Sequence, residues 1–142
     1  MKRIRRRIML AALVLAAVMG LTACGAPYTS HYSATVLIQS NKSDSAWVSF
    51  SSLKGTIVYK LKVKDEDEFL RYYGKLGEGS ITVYYDNEGT KEEWFSLQGG
   101  ENVEGKLEKP GKGKVYIIVE TDGKCQDGKL DFIVEGPTSA DE

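Results

Sequence analysis

Three pairs of adjacent aromatic residues carry the most suggestive chemistry in this chain: Tyr72-Tyr73, Tyr84-Tyr85 and Trp94-Phe95. Neighbours in an extended strand point to opposite faces, so one ring of each pair is directed away from a core. A flat ring on an open face, flanked by polar side chains, suits packing against the C–H faces of a sugar. If Ile81, Val83 and Tyr85 face a core, Thr82 and Tyr84 face outward, and either Trp94 or Phe95 does the same. Tyr84, Trp94 and Tyr72 are therefore the candidate ligand contacts. The competing reading is that these rings fill the core and cover a second face with amphipathic bulk.

Two oxygen-rich runs, Asp65-Glu66-Asp67-Glu68 and Asp86-Asn87-Glu88, invite a test for calcium. Calcium needs six to eight converging oxygens. Neither run has the spacing of an EF-hand loop. Asp65, Asp67 and Asp86 are weak structural-calcium candidates, and solvated turns explain both runs more simply. Paired carboxylates hydrolyse glycosidic bonds only across a cleft at a set separation, and a chain of this size has little room for one. G-x-S-x-G is absent, and Ser51-Ser52-Leu53-Lys54 has the S-x-x-K spacing without the S-D-N and K-T-G segments that accompany it in such enzymes. Cys125 lacks a histidine partner, because the single histidine, His31, lies far away in sequence in what reads as a tether. A small hydrolase is the least favoured class; no catalytic residue, cofactor or resident metal is expected.

One further cysteine has a different chemistry. Lys2, Arg3, Arg5, Arg6 and Arg7 form a basic start, followed by an apolar run from Ile8 to Gly20 and then Leu21-Thr22-Ala23-Cys24. That is the three-part build of a secretory signal, and the run is short of the ~20 residues that span a bilayer as a helix. Leu21, Thr22, Ala23 and Cys24 resemble the bacterial lipobox, a branched apolar residue and two small ones before an obligatory cysteine. The resemblance implies cleavage before Cys24, diacylglycerol on its sulfur and often acylation of the new amine. More than one acyl chain anchors a protein stably. The expected location is the extracytoplasmic face of a bacterial membrane or the cell surface.

Without residues 1–23 the chain has 119 residues, enough for one domain with one core. Five of the 19 basic residues fall in the signal and none of the 20 acidic ones do, leaving a net charge of about −6. That argues against nucleic acid, which needs a basic face. With Cys24 lipidated, Cys125 stands alone and no internal disulfide is available, so packing must hold the fold.

Apart from the signal the sequence reads as strands. Ala34–Gln39, Ala46–Ser51, Gly55–Val63, Ser80–Asp86, Glu92–Gln98, Glu101–Leu107, Lys114–Thr121 and Lys129–Glu135 are separated by Gly, Asp, Asn and Lys turns. In Gly55–Val63 the residues Ile57, Tyr59, Leu61 and Val63 alternate with polar ones, the pattern of a half-buried strand. The last two segments are expected to pair as a hairpin with Cys125 beneath it. Asp65–Tyr73 allows a helix as the alternative to a strand over Glu68–Gly74. The expected fold is all-β: a single antiparallel β-sandwich, jelly-roll-like, of about eight or nine strands. The division is signal peptide 1–23, lipidated cysteine and tether 24–32, sandwich 33–136 and polar tail 137–142.

From Phe50 to Glu135 the pattern resembles small jelly-roll sandwiches of bacterial surface lipoproteins and of secreted proteins with carbohydrate-binding-module-like or pre-peptidase C-terminal-like domains. The segments that carry it are Gly55-Thr-Ile-Val-Tyr-Lys-Leu, Gly79-Ser-Ile-Thr-Val-Tyr-Tyr-Asp, Val115-Tyr-Ile-Ile-Val-Glu and Gly128-Lys-Leu-Asp-Phe-Ile. The resemblance implies the fold and no particular ligand; the aromatic pairs point to a non-enzymatic binding protein with a glycan as first ligand. A structural or accessory role, binding another envelope protein through a sheet face or edge, is the alternative.

Overall fold

A computed structural model describes residues 28–87 and 89–136. The segment expected as a signal peptide, 1–23, with Leu21, Thr22 and Ala23, the expected lipid site Cys24 and the expected tail 137–142 lie outside the described residues. Nine strands make up the fold: β1 (His31–Thr35), β2 (Ile38–Asn41), β3 (Ser45–Val63), β4 (Phe69–Glu78), β5 (Ser80–Asp86), β6 (Glu92–Gln98), β7 (Asn102–Glu108), β8 (Gly113–Thr121) and β9 (Cys125–Glu135). Every ladder is antiparallel, in the order β6-β5-β8-β3-β9-β4-β7, with β1 and β2 on β3. The expected all-β sandwich is the observed architecture.

The two layers are joined by β3, a strand of 19 residues. Its first half, through Leu53, pairs with β9, and its second half, from Thr56, pairs with β8. One layer is thus the first half of β3 with β9, β4 and β7; the other is the second half with β8, β5 and β6. A strand that changes layer at a bend is a known way to make the corner of a sandwich. Ala46–Ser51 and Gly55–Val63, expected as separate strands, are one. Gly55 marks the bend: its φ is +129°, and a Cβ there would lie 2.5 Å from the His31 carbonyl oxygen. The Gly55 amide donates to Thr121 Oγ1 at 2.8 Å, fixing the bend against the end of β8.

The expected hairpin of the last two strands is not formed. β8 and β9 are not paired; β3 lies between them. The reason is the same bend. Thr56 pairs with Glu120 and Leu53 with Cys125, so Asp122-Gly123-Lys124 crosses from one layer to the other beside Gly55. The first expected strand, in turn, is two. Val36 has φ +48°, which interrupts the ladder between β1 and β2 and leaves its side chain 72% exposed. Within the expected tether, His31 already opens β1 opposite Thr56.

Residues 65–73 form a turn and then β4, not a helix. Glu68 Oε1 accepts from the amides of Lys64 (2.6 Å) and Asp65 (2.7 Å), and Asp65 Oδ1 from that of Asp67 (3.1 Å). Side-chain acceptors of this kind stabilise a turn at the expense of a continuing helix. Beyond it Leu70, Gly74 and Leu76 recur at even spacing and are buried.

The core lies between the layers. Ile57, Tyr59, Leu61 and Val63 are all buried, as their alternation predicts. Phe132 of β9 is fully buried and meets three rings of the opposite layer: Tyr59 at 6.5 Å, Trp94 at 5.7 Å and Phe95 at 6.3 Å between centroids.

Candidate ligand-binding face

The outer face of the β3–β9–β4–β7 layer is set by what the inner face buries. Ala46, Val48 and Phe50 turn inward, so Trp47 and Ser49 turn out. Leu130, Phe132 and Val134 turn inward, so Lys129, Asp131 and Ile133 turn out. Leu70, Gly74 and Leu76 do the same for Arg71, Tyr73 and Lys75. The register then aligns a row across the layer. Trp47 is opposite Asp131, Asp131 is opposite Tyr73, and Tyr73 is opposite Glu104. Two half-exposed rings thus stand one strand away from a common carboxylate, about 10 Å apart at the backbone.

This row lies in an open groove. One part, of about 820 Å³, is lined by Arg71, Tyr72, Tyr73, Glu104, Gly105, Lys106, Asp131 and Ile133; the other, of about 360 Å³, by Trp47, Ser49, Lys129 and Asp131. Asp131 belongs to both. Arg71 pairs with Glu135 at 3.3 Å, Lys106 with Glu108 at 3.4 Å, and Lys129 Nζ lies 3.8 Å from Asp131 Oδ2. These are exposed pairs worth little to stability, and they leave donors and acceptors facing solvent along the groove. Rings with polar groups between them can hold a polyol ring by stacking and hydrogen bonding.

Of the residues singled out by sequence, Tyr72 and Trp94 pack between the layers. Tyr72 stacks on Phe95 at 4.3 Å and 12° and meets Trp94 edge-on at 4.9 Å. Gly105 opposite makes room for it, since a Cβ there would lie 2.7 Å from the Tyr72 hydroxyl. The expectation that either Trp94 or Phe95 faces outward does not hold: both pack against the core. The cause is a β-bulge. Val83 pairs with Phe95 but Tyr84 pairs with Glu93, so Trp94 is an extra residue on β6 and alternation breaks there. Tyr84 does face outward, on the other layer, with Lys91 Nζ 4.3 Å above its ring and Lys91 paired to Glu120 at 3.1 Å.

Asp65 and Asp67 sit in the β3–β4 turn, away from Asp86. Asp86 is 3% exposed; it accepts from Tyr28 Oη at 2.5 Å and from the Gly89 amide at 2.6 Å. Tyr28 also packs on Tyr116 at 5.7 Å, so the chain enters over the outer face of the β8–β5 layer. Among the described residues no group of three or more His, Cys, Asp or Glu is placed to hold a metal ion. Cys125 is buried, its thiol donating to the Ser80 carbonyl at 3.2 Å.

Sequence reasoning did not single out Trp47 as outward-facing, and it named Tyr72 and not its neighbour Tyr73. The signal for Trp47 was present, because Ala46, Val48 and Phe50 form an apolar set of period two that directs Trp47 outward. For the tyrosines, Arg71 and Lys75 share a face with Tyr73, which marks the solvent side.

The sequence matches no family model and no curated protein. Among solved structures, the chain is similar to TmCBM61, described in complex with β-1,4-galactotriose, at 13% identity over 75% of this chain and 88% of that one, with TM-score 0.48. It is similar to a family 29 carbohydrate-binding module at 15% identity, over 83% and 91% of the two chains, with TM-score 0.41. It is also similar to PliG of Aeromonas hydrophila, a periplasmic inhibitor of g-type lysozyme, at 17% identity over 66% and 88%, with TM-score 0.41.

Proposed function

We propose that this is a non-catalytic, lipid-anchored bacterial surface protein that binds a glycan on the outer face of its β3–β9–β4–β7 layer. The observation that carries the reading is the row Trp47, Asp131, Tyr73 along an open groove. The rings supply faces for pyranose C–H groups, and Asp131 between them accepts from hydroxyls. Stacking surfaces and hydrogen-bonding groups then act on one ligand at once, which is how polar ligands are oriented in open sites. Cys24, preceded by Leu21, Thr22 and Ala23, supplies the lipid attachment.

Affinity electrophoresis of the full-length protein through soluble polysaccharides tests the site. Mobility should be retarded by a bound polymer, and Trp47→Ala or Tyr73→Ala should remove the retardation. Binding that survives both changes but disappears with Tyr84→Ala would move the site to the other layer. Cys24→Ala should abolish radiolabelled-lipid incorporation and release the protein from the membrane fraction. Unchanged labelling rejects the anchor.

A second reading, a protein partner, is favoured by one feature. Val36 and Ile38 are 72% and 59% exposed at the β1–β2 edge. Crosslinking from that edge to an envelope protein, with no polymer bound, would support it.

A further inference from the structure

The same face carries a second row whose charge is unusual for the domain. Next to the Trp47–Asp131–Tyr73 row, Ser49 is opposite Lys129, Lys129 opposite Lys75, and Lys75 opposite Asn102. Two ammonium groups thus stand directly cross-strand, flanked on both sides by neutral residues. Like charges in that relation repel. The chain without its signal carries a net charge of about −6, so this pairing is not the by-product of a generally basic surface.

The other cationic pair on the face is built differently. Arg71 is opposite Lys106, but each has its own acid, Glu135 at 3.3 Å and Glu108 at 3.4 Å. In the Lys75–Lys129 row one acid is close: Asp131 lies 3.8 Å from Lys129. Lys75 has no ion pair among the described residues. Asp127, exposed on β9, has none either; a Cβ on Gly77 would lie 3.0 Å from the Asp127 Cβ. Asp131 and Glu104 of the neighbouring row balance the two lysines in number, but only Lys129 lies within ion-pair distance of an acid, so the Lys75 ammonium is the unpaired cation beside the rings among the described residues. Successive rows on one face are two residues apart along the strand, about 7 Å. That is within reach of a charged substituent on a sugar ring stacked over Trp47 or Tyr73.

We propose that the glycan is acidic, with a carboxylate, phosphate or sulfate held between Lys75 and Lys129 while its ring packs on the aromatic row. This rests on the glycan-binding reading above and adds the class of glycan. An anion there relieves the cross-strand repulsion and accepts from both ammonium groups, which makes the hydrogen bonds charge-assisted.

The test is binding of full-length protein in detergent to a panel of neutral polymers (β-glucan, galactan, mannan) and acidic ones. The acidic members are a polyuronate, a polyol-phosphate polymer and a sulfated glycan, which separate the three sources of charge. The result expected is binding to an acidic member that weakens with added salt and falls about tenfold in the double variant Lys75→Gln/Lys129→Gln. Both positions are exposed, and an unchanged melting midpoint shows that the variant folds. Trp47→Ala should weaken the same binding without changing its salt dependence. Binding confined to neutral polymers, or acidic binding unchanged in the lysine variant, overturns the inference and leaves the glycan reading standing. No binding to any polymer overturns both.

Discussion

The ring of Phe50 occupies the space where Gly128, its cross-strand partner, would carry a side chain. A Cβ on Gly128 would lie 2.2 Å from the Phe50 Cζ. Neither the ring nor the strand can give way easily, because Phe50 is buried in the core. Gly128→Ala should therefore lower stability by about 1–3 kcal/mol, the usual penalty of overpacking. Phe50→Leu in the same chain should restore part of the loss. Urea denaturation of the two single variants and the double one checks the coupling. Additive effects would mean that the contact is not the cause.

Two tryptophans should separate stability from binding. Trp94 packs against Tyr72, Phe95 and Phe132 between the layers, and Trp94→Ala should cost about 3 kcal/mol. Its folded fraction should keep ligand affinity. Trp47 stands on the outer face, and Trp47→Ala should cost under about 1 kcal/mol while removing binding. Thermal melts paired with titrations read both quantities, and the reverse pattern would exchange the roles of the two rings.

Tyr28 makes the fold sensitive to alkali. Burial first, then its hydrogen bond to Asp86 and the charge there, push its ionisation from the ordinary 10.0 up to about 12. The folded state thus favours the neutral phenol. Its contribution is intact below about pH 10, where an unfolded tyrosine is still protonated, and is lost as pH rises toward 12. At pH 7 Tyr28→Phe should cost about 1–3 kcal/mol by leaving a buried carboxylate oxygen without its donor. Denaturant melts between pH 7 and 12 should show that difference shrinking above pH 10. A constant difference would place the effect in ring packing on Tyr116.

Cys125 should be inert in the native protein. Burial raises its thiol pKa. A thiol reagent reacts with the thiolate, so at pH 8 the Cys24→Ala chain should label slowly until denaturant is added. Labelling of the native protein at the rate of a free cysteine would contradict the placement of Cys125 under Gly79.

Strand content was legible wherever alternation was regular. Ile57, Tyr59, Leu61 and Val63 announce their face, and the segments Ser80–Asp86 and Glu92–Gln98 have the observed bounds. What local pattern does not encode is tertiary. A glycine such as Gly55 reads as a turn, yet here it lets one strand pass between layers. A single inserted residue, Trp94, reverses the alternation that would have sent it outward. The site was partly legible for the same reason: Trp47 obeys alternation, while the row it forms with Asp131 and Tyr73 depends on β3, β9 and β4 becoming neighbours, and no spacing in the chain shows that.

The Tyr28–Asp86 clasp has a mechanical consequence. It fixes the entering chain to the outer face of one layer, whereas the groove lies on the outer face of the other, with two stacked sheets about 10 Å apart between them. Under the proposed function, a polymer held at Trp47 and an anchor at Cys24 would therefore pull on opposite sides of the domain. The domain would then be a spacer in series with that anchor, and tension between the two would cross the sandwich through β3, the strand that both layers share.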